Sequence, residues 1–368
     1  MSKYKWDLRE IRDYKEAADE AILLVDDEYR KKRLTNISNL YESMLSIFHK
    51  NDNSLEHFND SLYEYDLMNI LDDPINFFTE DNLPFIDAVI GAFPTIIDNY
   101  QPDDYIDGTI FYDDDNVVGI AEDFFKKMTL PWMQEEFNNI ISINPSIINI
   151  SYNKNKTDFS GVIFVDDVMD KKYIHVTRCN HLDDLCILPH EVFHYIFDKN
   201  DFSIKYKSKF LNEVEGCLAN ILFSDYYQNN AIINNDYFND HFKYAIQTNI
   251  EDLSIRAGML KFLELNPYIN INLKKFNRFL KPYGYNFKTQ EQLYSYLTIP
   301  SERRTKFSLS YLVALDLYYI YKDDSEKCFA LLKEIKNINS DNYLTTLNNY
   351  GITFMQDDYK SLEKYLKK

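Results

Sequence analysis

From Tyr4 to Phe48 apolar side chains recur at three- and four-residue steps (Ile22, Leu23, Tyr29, Leu34, Ile37, Leu40, Leu45, Ile47), the period of amphipathic helices. Pro74, Pro84 and Pro94 punctuate the next stretch, so the first hundred or so residues read as a set of helices. Between Ile140 and Arg178 the pattern changes. IINISY, GVIFVDD and KYIHVTR are short, rich in β-branched and aromatic residues, and separated by Asn, Lys, Asp and Gly. They predict a small antiparallel sheet, with Tyr173 to Arg178 as its edge strand and His175 as a packing or surface residue within it. Helical periodicity returns from Asp183 and runs to the C-terminus, with loops expected near Gln228–Asp236 and Pro282–Gln290. SLSYLVALDLYYIY, Ser308 to Tyr321, is apolar on nearly all sides and predicts a buried helix; DDSEKCFALLKEI and DDYKSLEKYL predict amphipathic closing helices. The fold class is therefore mainly α, with a small antiparallel β-sheet set just before a helix.

Composition narrows the setting. At 368 residues and 45% hydrophobic content the chain can build a substantial core, as one large domain or two. The formal net charge of -19 speaks against a nucleic-acid partner, whose phosphates require a dense basic patch. Cationic or neutral peptides are compatible with it. MSKYKWDLREIRDYKEAADEAI carries no apolar signal region, which leads us to expect a cytoplasmic protein. The apolar run from Phe307 to Tyr321 is interrupted by Asp316 and too short for a bilayer, so no membrane span is expected. Four cysteines in such a setting read as free thiols. The acidic run QPDDYIDGTIFYDDDN lacks the ligand spacing of an EF-hand and reads as a solvated loop; His49 and His57 read as surface residues.

Candidate chemistry is concentrated in DDLCILPHEVFHYIFDKNDFSIKYKSKFLNEVEGCLAN, Asp183 to Asn220. His190-Glu191-Val192-Phe193-His194 is an HExxH motif. Residues four apart on a helix differ by about 40° of rotation, so both imidazoles can reach one ion. Catalytic zinc takes three protein ligands and keeps a position for water, so two histidines need one more donor. Glu213, nineteen residues after His194, is the candidate, and Glu215 competes for the role. The two glutamates are about 200° apart on a helix, so only one can face the ion; Gly216 and Cys217 leave room for close helix packing after Glu213. Whichever glutamate does not ligate would be solvated or would support a ligand. Glu191, about 100° round from His190, is badly placed for ligation but well placed to hold and deprotonate a water. Pro189 marks either the first turn of this helix or a kink, and Asp184 either starts the helix or orients a ligand histidine. Cys179, His181 and Cys186 fit no common zinc spacing.

These residues resemble the oligoendopeptidase F and thimet oligopeptidase family of zinc peptidases, of gluzincin type. DFSGVIFVDDVMDKKYIHVTRCNHLDDLCILPHEVFHYIF is similar to the family's succession of glycine-containing loop, edge strand, turn and HExxH helix. LNEVEGCLANILFSDYY resembles the helix supplying the ligand glutamate and puts Glu213 on that position; FSLSYLVALDLYYIYKDDSEKCFALLKEI and YGITFMQDDYKSLEKYL are similar to the family's C-terminal helices. The resemblance covers about residues 155–225 and 300–368. It implies two helical lobes around a central groove: an N-terminal lobe, 1–130, and a catalytic lobe, 131–368, with the sheet in 140–178, the zinc helices in 183–225 and a helical bundle in 240–368. It also implies one Zn2+ held by His190, His194 and Glu213, Glu191 as general base, and oligopeptides as substrates. The chain departs from the family pattern in its short length, in a tighter His194-to-Glu213 spacing, in Phe193 where a glycine is common, and in lacking most of the tyrosines that stabilise the oxyanion. Tyr311 is the remaining candidate for substrate contact, Phe307 has no hydroxyl, and Arg303 or Arg304 could substitute. A catalytically weak, zinc-containing peptide-binding protein is the alternative reading, and a protease specific for one folded protein a third.

Overall fold

The computed structural model describes residues 5–46, 109, 111–153, 160–166, 171–197, 211, 213–230, 236–250, 272–281, 286–293, 301–336, 343–352 and 360–367. The architecture is mainly helical with one three-stranded sheet. His49, His57, the three prolines and residues 101–108 of the acidic run lie outside the described residues. The N-terminal amphipathic stretch forms α1 (Leu8–Leu24) and α2 (Glu28–Ser46). The Asp7 side chain starts α1 by accepting the Arg9 N–H at 2.9 Å, one of the donors a helix start leaves unpaired. Ile11 and Ala18 of α1 meet Ile37, Leu40, Tyr41 and Met44 of α2, and Trp6 and Tyr173 close this small core against the sheet.

Part of the acidic run is a helix start, not a loop. Asp113 accepts the Asn116 N–H at 2.8 Å and the Asn116 side chain accepts the Asp113 N–H at 3.3 Å, a reciprocal cap that opens α3 (Asp114–Met128). α4 (Pro131–Asn138) comes next. The sheet comprises β1 (Ile148–Tyr152), β2 (Ser160–Asp166) and β3 (Lys171–Arg178), in the order β1-β3-β2. Here the structure corrects two expectations. The sheet is mixed: β1 runs parallel to β3, and β2 antiparallel to it. β3, expected at the edge, is the central strand, paired Ile148↔Ile174 on one side and Gly161↔Val176 on the other. Local alternation fixes which residues share a face but not strand order, and burial of β3 from Tyr173 to Arg178 reflects cover on both faces. Trp6 packs on Tyr173 and His175, whereas Ile174 and Val176 belong to the main core. His175 is a buried packing residue, with Nδ1 2.9 Å from Asn149 Nδ2 and Nε2 3.2 Å from Thr177 Oγ1.

Beyond the sheet lie α5 (Asp184–Phe197), α6 (Val214–Asn230), a helical segment at 236–250, α7 (Leu273–Leu280), α8 (Ser301–Asp323) and α9 (Ser325–Ile335). α5, α6 and α8 are the centre of the main core. Apolar residues dominate their buried stretches on most sides because each is surrounded by others. Phe193 sits among Phe124, Phe125, Phe197 and Phe329, ring centroids 5.7–6.2 Å apart, so α3 and α9 accommodate its bulk. The four cysteines are free. Among the described residues no helix is long and apolar enough to cross a membrane.

Candidate metal centre

α5 carries HExxH through its second half, and Pro189 lies inside the helix rather than in its first turn. Proline there forfeits the bond to the carbonyl four residues earlier, a cost that packing against α3, α4, α6, β2 and β3 outweighs. Asp184 builds the helix start. Its carboxylate accepts the N–H groups of Cys179 at 3.0 Å, Asn180 at 2.8 Å and His181 at 3.2 Å, holding a turn in which Asn180 has φ 63°. It does not orient a ligand histidine. Next to it, Asp183 pairs with His181 at 2.9 Å and accepts the Tyr237 hydroxyl at 2.9 Å; burial raises its pKa, but His181 and His241 bring it below the usual value. Cys186 is buried, its thiol donating to the Asp183 carbonyl, and its pKa is pushed well up by that burial.

The structure brings His190, His194 and Glu213 together, and this is the one such cluster of possible metal ligands among the described residues. The two Nε2 atoms are 3.1 Å apart; Glu213 Oε2 is 3.3 Å from that of His194 and 3.7 Å from that of His190. Ligands about 2.0–2.1 Å from a tetrahedral ion stand about 3.3–3.4 Å from one another, so the three atoms have the spacing of one face of a zinc site. Glu213 reaches this position from the residue just before α6, where its carbonyl accepts the Cys217 N–H at 2.8 Å.

Proton bookkeeping agrees with that spacing. His194 Nδ1 lies 2.7 Å from Glu215 Oε1, and His190 Nδ1 lies 3.3 Å from Asn220 Oδ1. Both partners are acceptors, so each Nδ1 carries its hydrogen and each neutral ring turns a lone pair on Nε2 toward the other and toward Glu213. Three acceptors aimed at one point repel unless a metal ion or a proton sits between them. In the metal-free protein, burial lowers the pKa of His194, and the charges of Glu215 and Glu213 more than reverse this, leaving it well above 6.5. Glu215 is thus the support of a ligand rather than a solvated acid: it is 0% exposed and its Oε1 also accepts from Lys336 Nζ at 2.6 Å.

Two glycines make the approach possible. A Cβ on Gly216 would lie 2.4 Å from His190 Cε1, so α6 can come this close to the ring only without a side chain there. A Cβ on Gly161 would lie 2.4 Å from Glu191 Oε1 and 2.5 Å from Ile187 Cγ2. α5 therefore turns His190 and His194 toward α6, and Ile187 and Glu191 toward β2. Glu191 is 6% exposed and lies between the histidines and the backbone of the sheet's outer strand.

Tyr311 stands elsewhere than expected. Its ring is buried in α8, with its hydroxyl near Asn220, Cys217 and Cys186. Burial pushes its pKa well above 10. It lies near the Asn220 side chain, which in turn faces the His190 ring. Phe307 is partly buried against the main core, and the side chains of Arg303 and Arg304 lie outside the described residues. Sequence reasoning missed Asn220, seven residues after Glu213 and so on the same face of α6, where two turns of helix signalled it. It also missed Gly161 and Lys336, for which no local pattern gave a signal.

No protein-family model matches the chain, and no curated protein matches it. Solved structures of similar fold include PZ peptidase A with an inhibitor, at TM-score 0.51 and 10% identity over 98% of this chain and 71% of that one. An X-ray structure assigned as oligoendopeptidase F aligns at 0.50 and 11%, over 98% and 70%. A protein assigned as an oligoendopeptidase F from Bacillus anthracis strain Ames aligns at 0.49 and 11% identity, over 94% of this chain. The chain spans only 64% of that protein's length. At such identities the likeness is one of fold: the chain shares the helical fold of these proteins.

Proposed function

We propose that the protein is a zinc-dependent metallopeptidase that hydrolyses peptide bonds in oligopeptides. The observation that carries this reading is the convergence of two Nε2 atoms and one carboxylate oxygen, spaced by 3.1–3.7 Å, with both Nδ1 hydrogens committed to acceptors behind them. His190, His194 and Glu213 would hold the ion. Zinc supplies Lewis acidity in such a site, making water a nucleophile near neutral pH and polarising a carbonyl. The chain's own residues do the rest. Glu191, on the next face of α5, takes the proton of the attacking water and hands it to the leaving amine. Its burial against Gly161 excludes competing water and fixes the carboxylate beside β2. β2 is an outer strand among the described residues and lies on α5, so an extended peptide would pair along its outer edge and pass over Glu191, the role an edge position would have given to β3.

Glu191→Gln tests the assignment. The variant should retain one zinc per chain and lose about three or more orders of magnitude of turnover on quenched oligopeptides; turnover close to wild type would refute the role. The burial of Tyr311 favours one second reading, a zinc-containing peptide-binding protein of weak activity, because the hydroxyl expected to stabilise an oxyanion is buried near Asn220 instead. Incubation with a peptide library, read by mass spectrometry, separates the two: cleavage products belong to the peptidase, bound but intact peptides to the alternative.

A further inference from the structure

We infer that Lys336 is a positioning residue of the metal centre, acting on His194 through Glu215. This inference rests on the metal reading above. Lys336 comes directly after the last residue of α9 and is 5% exposed, an unusual place for an ammonium. Its Nζ donates to Glu215 Oε1 at 2.6 Å, and the same oxygen accepts the Nδ1–H of His194 at 2.7 Å. The other oxygen, Oε2, is buried and meets no hydrogen-bond donor among the described residues. The carboxylate is thus held by one atom and could turn about that bond. The ammonium removes this freedom, because it draws Oε1 to the one spot that keeps the His194 ring aimed with Nε2 toward Glu213 and His190.

Charge leads to the same assignment. Glu213 and Glu215 both approach His194, yet only Glu213 faces the metal position. Lys336 pairs with Glu215, the glutamate on the Nδ1 side of His194. The link is also long in sequence, 121 residues between Glu215 and Lys336. α9 reaches this position on its own contacts, since Phe329 packs on Phe193 and Phe197 of α5 at 6.2 Å. The C-terminal helices therefore set the geometry of an ion bound on α5 and α6, without touching it.

A plain buried ion pair would make a different prediction. Loss of Lys336 would then lower the stability of the metal-free and loaded protein alike and leave zinc affinity unchanged, or tighten it through the added negative charge. Positioning requires weaker binding. The experiment is competition for zinc between the full-length protein and a fluorescent chelator, with melting of the metal-free forms as a check on folding. Lys336→Met should weaken zinc binding about 10- to 100-fold, the usual effect of removing an outer partner of a ligand histidine, and Lys336→Arg should recover most of it. Should Lys336→Met fail to fold, Glu215→Gln with Lys336→Met removes both charges, and its affinity should still fall at least about tenfold. Affinity equal to or tighter than wild type in whichever variant folds overturns the inference. A wild-type protein that takes no zinc from the chelator overturns the metal reading itself, and is recognised in the wild-type arm alone.

Discussion

His190 and His194 stand one turn apart on α5, present the same atom to the same point, and are held there by opposite means. His194 donates to a fully buried carboxylate at 2.7 Å, and that carboxylate is anchored by an ammonium from the far end of the chain. His190 donates to a neutral amide at 3.3 Å, backed by a neutral phenol, and is wedged by the bare backbone of Gly216. A hydrogen bond to a charged group contributes about 1.5–3 kcal/mol and a neutral one about 0.5–1.5 kcal/mol. One ring is therefore held by charge, the other by shape. The difference teaches that HExxH specifies only where the rings start; what aims them comes from α6, α8 and α9.

Breaking the charged support should have the largest effect. Glu215→Gln keeps an acceptor for His194 but removes the buried carboxylate that Lys336 pairs with, which costs about 3–5 kcal/mol of stability and about 10- to 100-fold in zinc affinity. Its pH dependence sharpens the point. A pKa raised in the folded state stabilises most fully below the unfolded value of 6.5, and the contribution disappears as pH rises through the folded value. Wild-type metal-free protein should accordingly melt at lower temperature as pH rises above about 6.5, and Glu215→Gln should show a smaller slope. Calorimetry across that range checks both.

Gly216→Ala attacks the support by shape. The new methyl must displace the His190 ring or part α5 from α6, at about 1–3 kcal/mol, and zinc binding should weaken while the Glu215–His194 pair is untouched. A chelator titration that finds wild-type affinity would show that the helices yield without moving the ring. The smallest change is Tyr311→Phe. Removing a hydroxyl that backs Asn220 should cost about 1 kcal/mol of stability and a few-fold in zinc affinity. A loss of turnover with zinc affinity unchanged would instead return Tyr311 to the substrate side.

Much of this was legible in the sequence, and the limits have physical causes. The helical fold and the HExxH ligands rest on periods of 3.6 residues, which a single segment contains in full. That only one of Glu213 and Glu215 joins His190 and His194 on the Nε2 side was legible, because two residues apart on a helix they cannot face the same way. Strand order was not legible: β1, β2 and β3 look alike locally, and their order is set by which faces Trp6 and α5 cover. Lys336 was invisible for the same kind of reason, since its partner is 121 residues away. Tyr311 could be placed only to within about a turn, because the stretch from Ser308 to Tyr321 has few polar positions to fix its register.

The most direct test of the account is the zinc content of the purified protein after dialysis against buffered zinc, compared with that of Glu213→Ala. The arrangement of His190, His194 and Glu213 predicts one ion per wild-type chain and substantially less in the variant. A wild-type chain without zinc, or a variant that keeps its full complement, would contradict it.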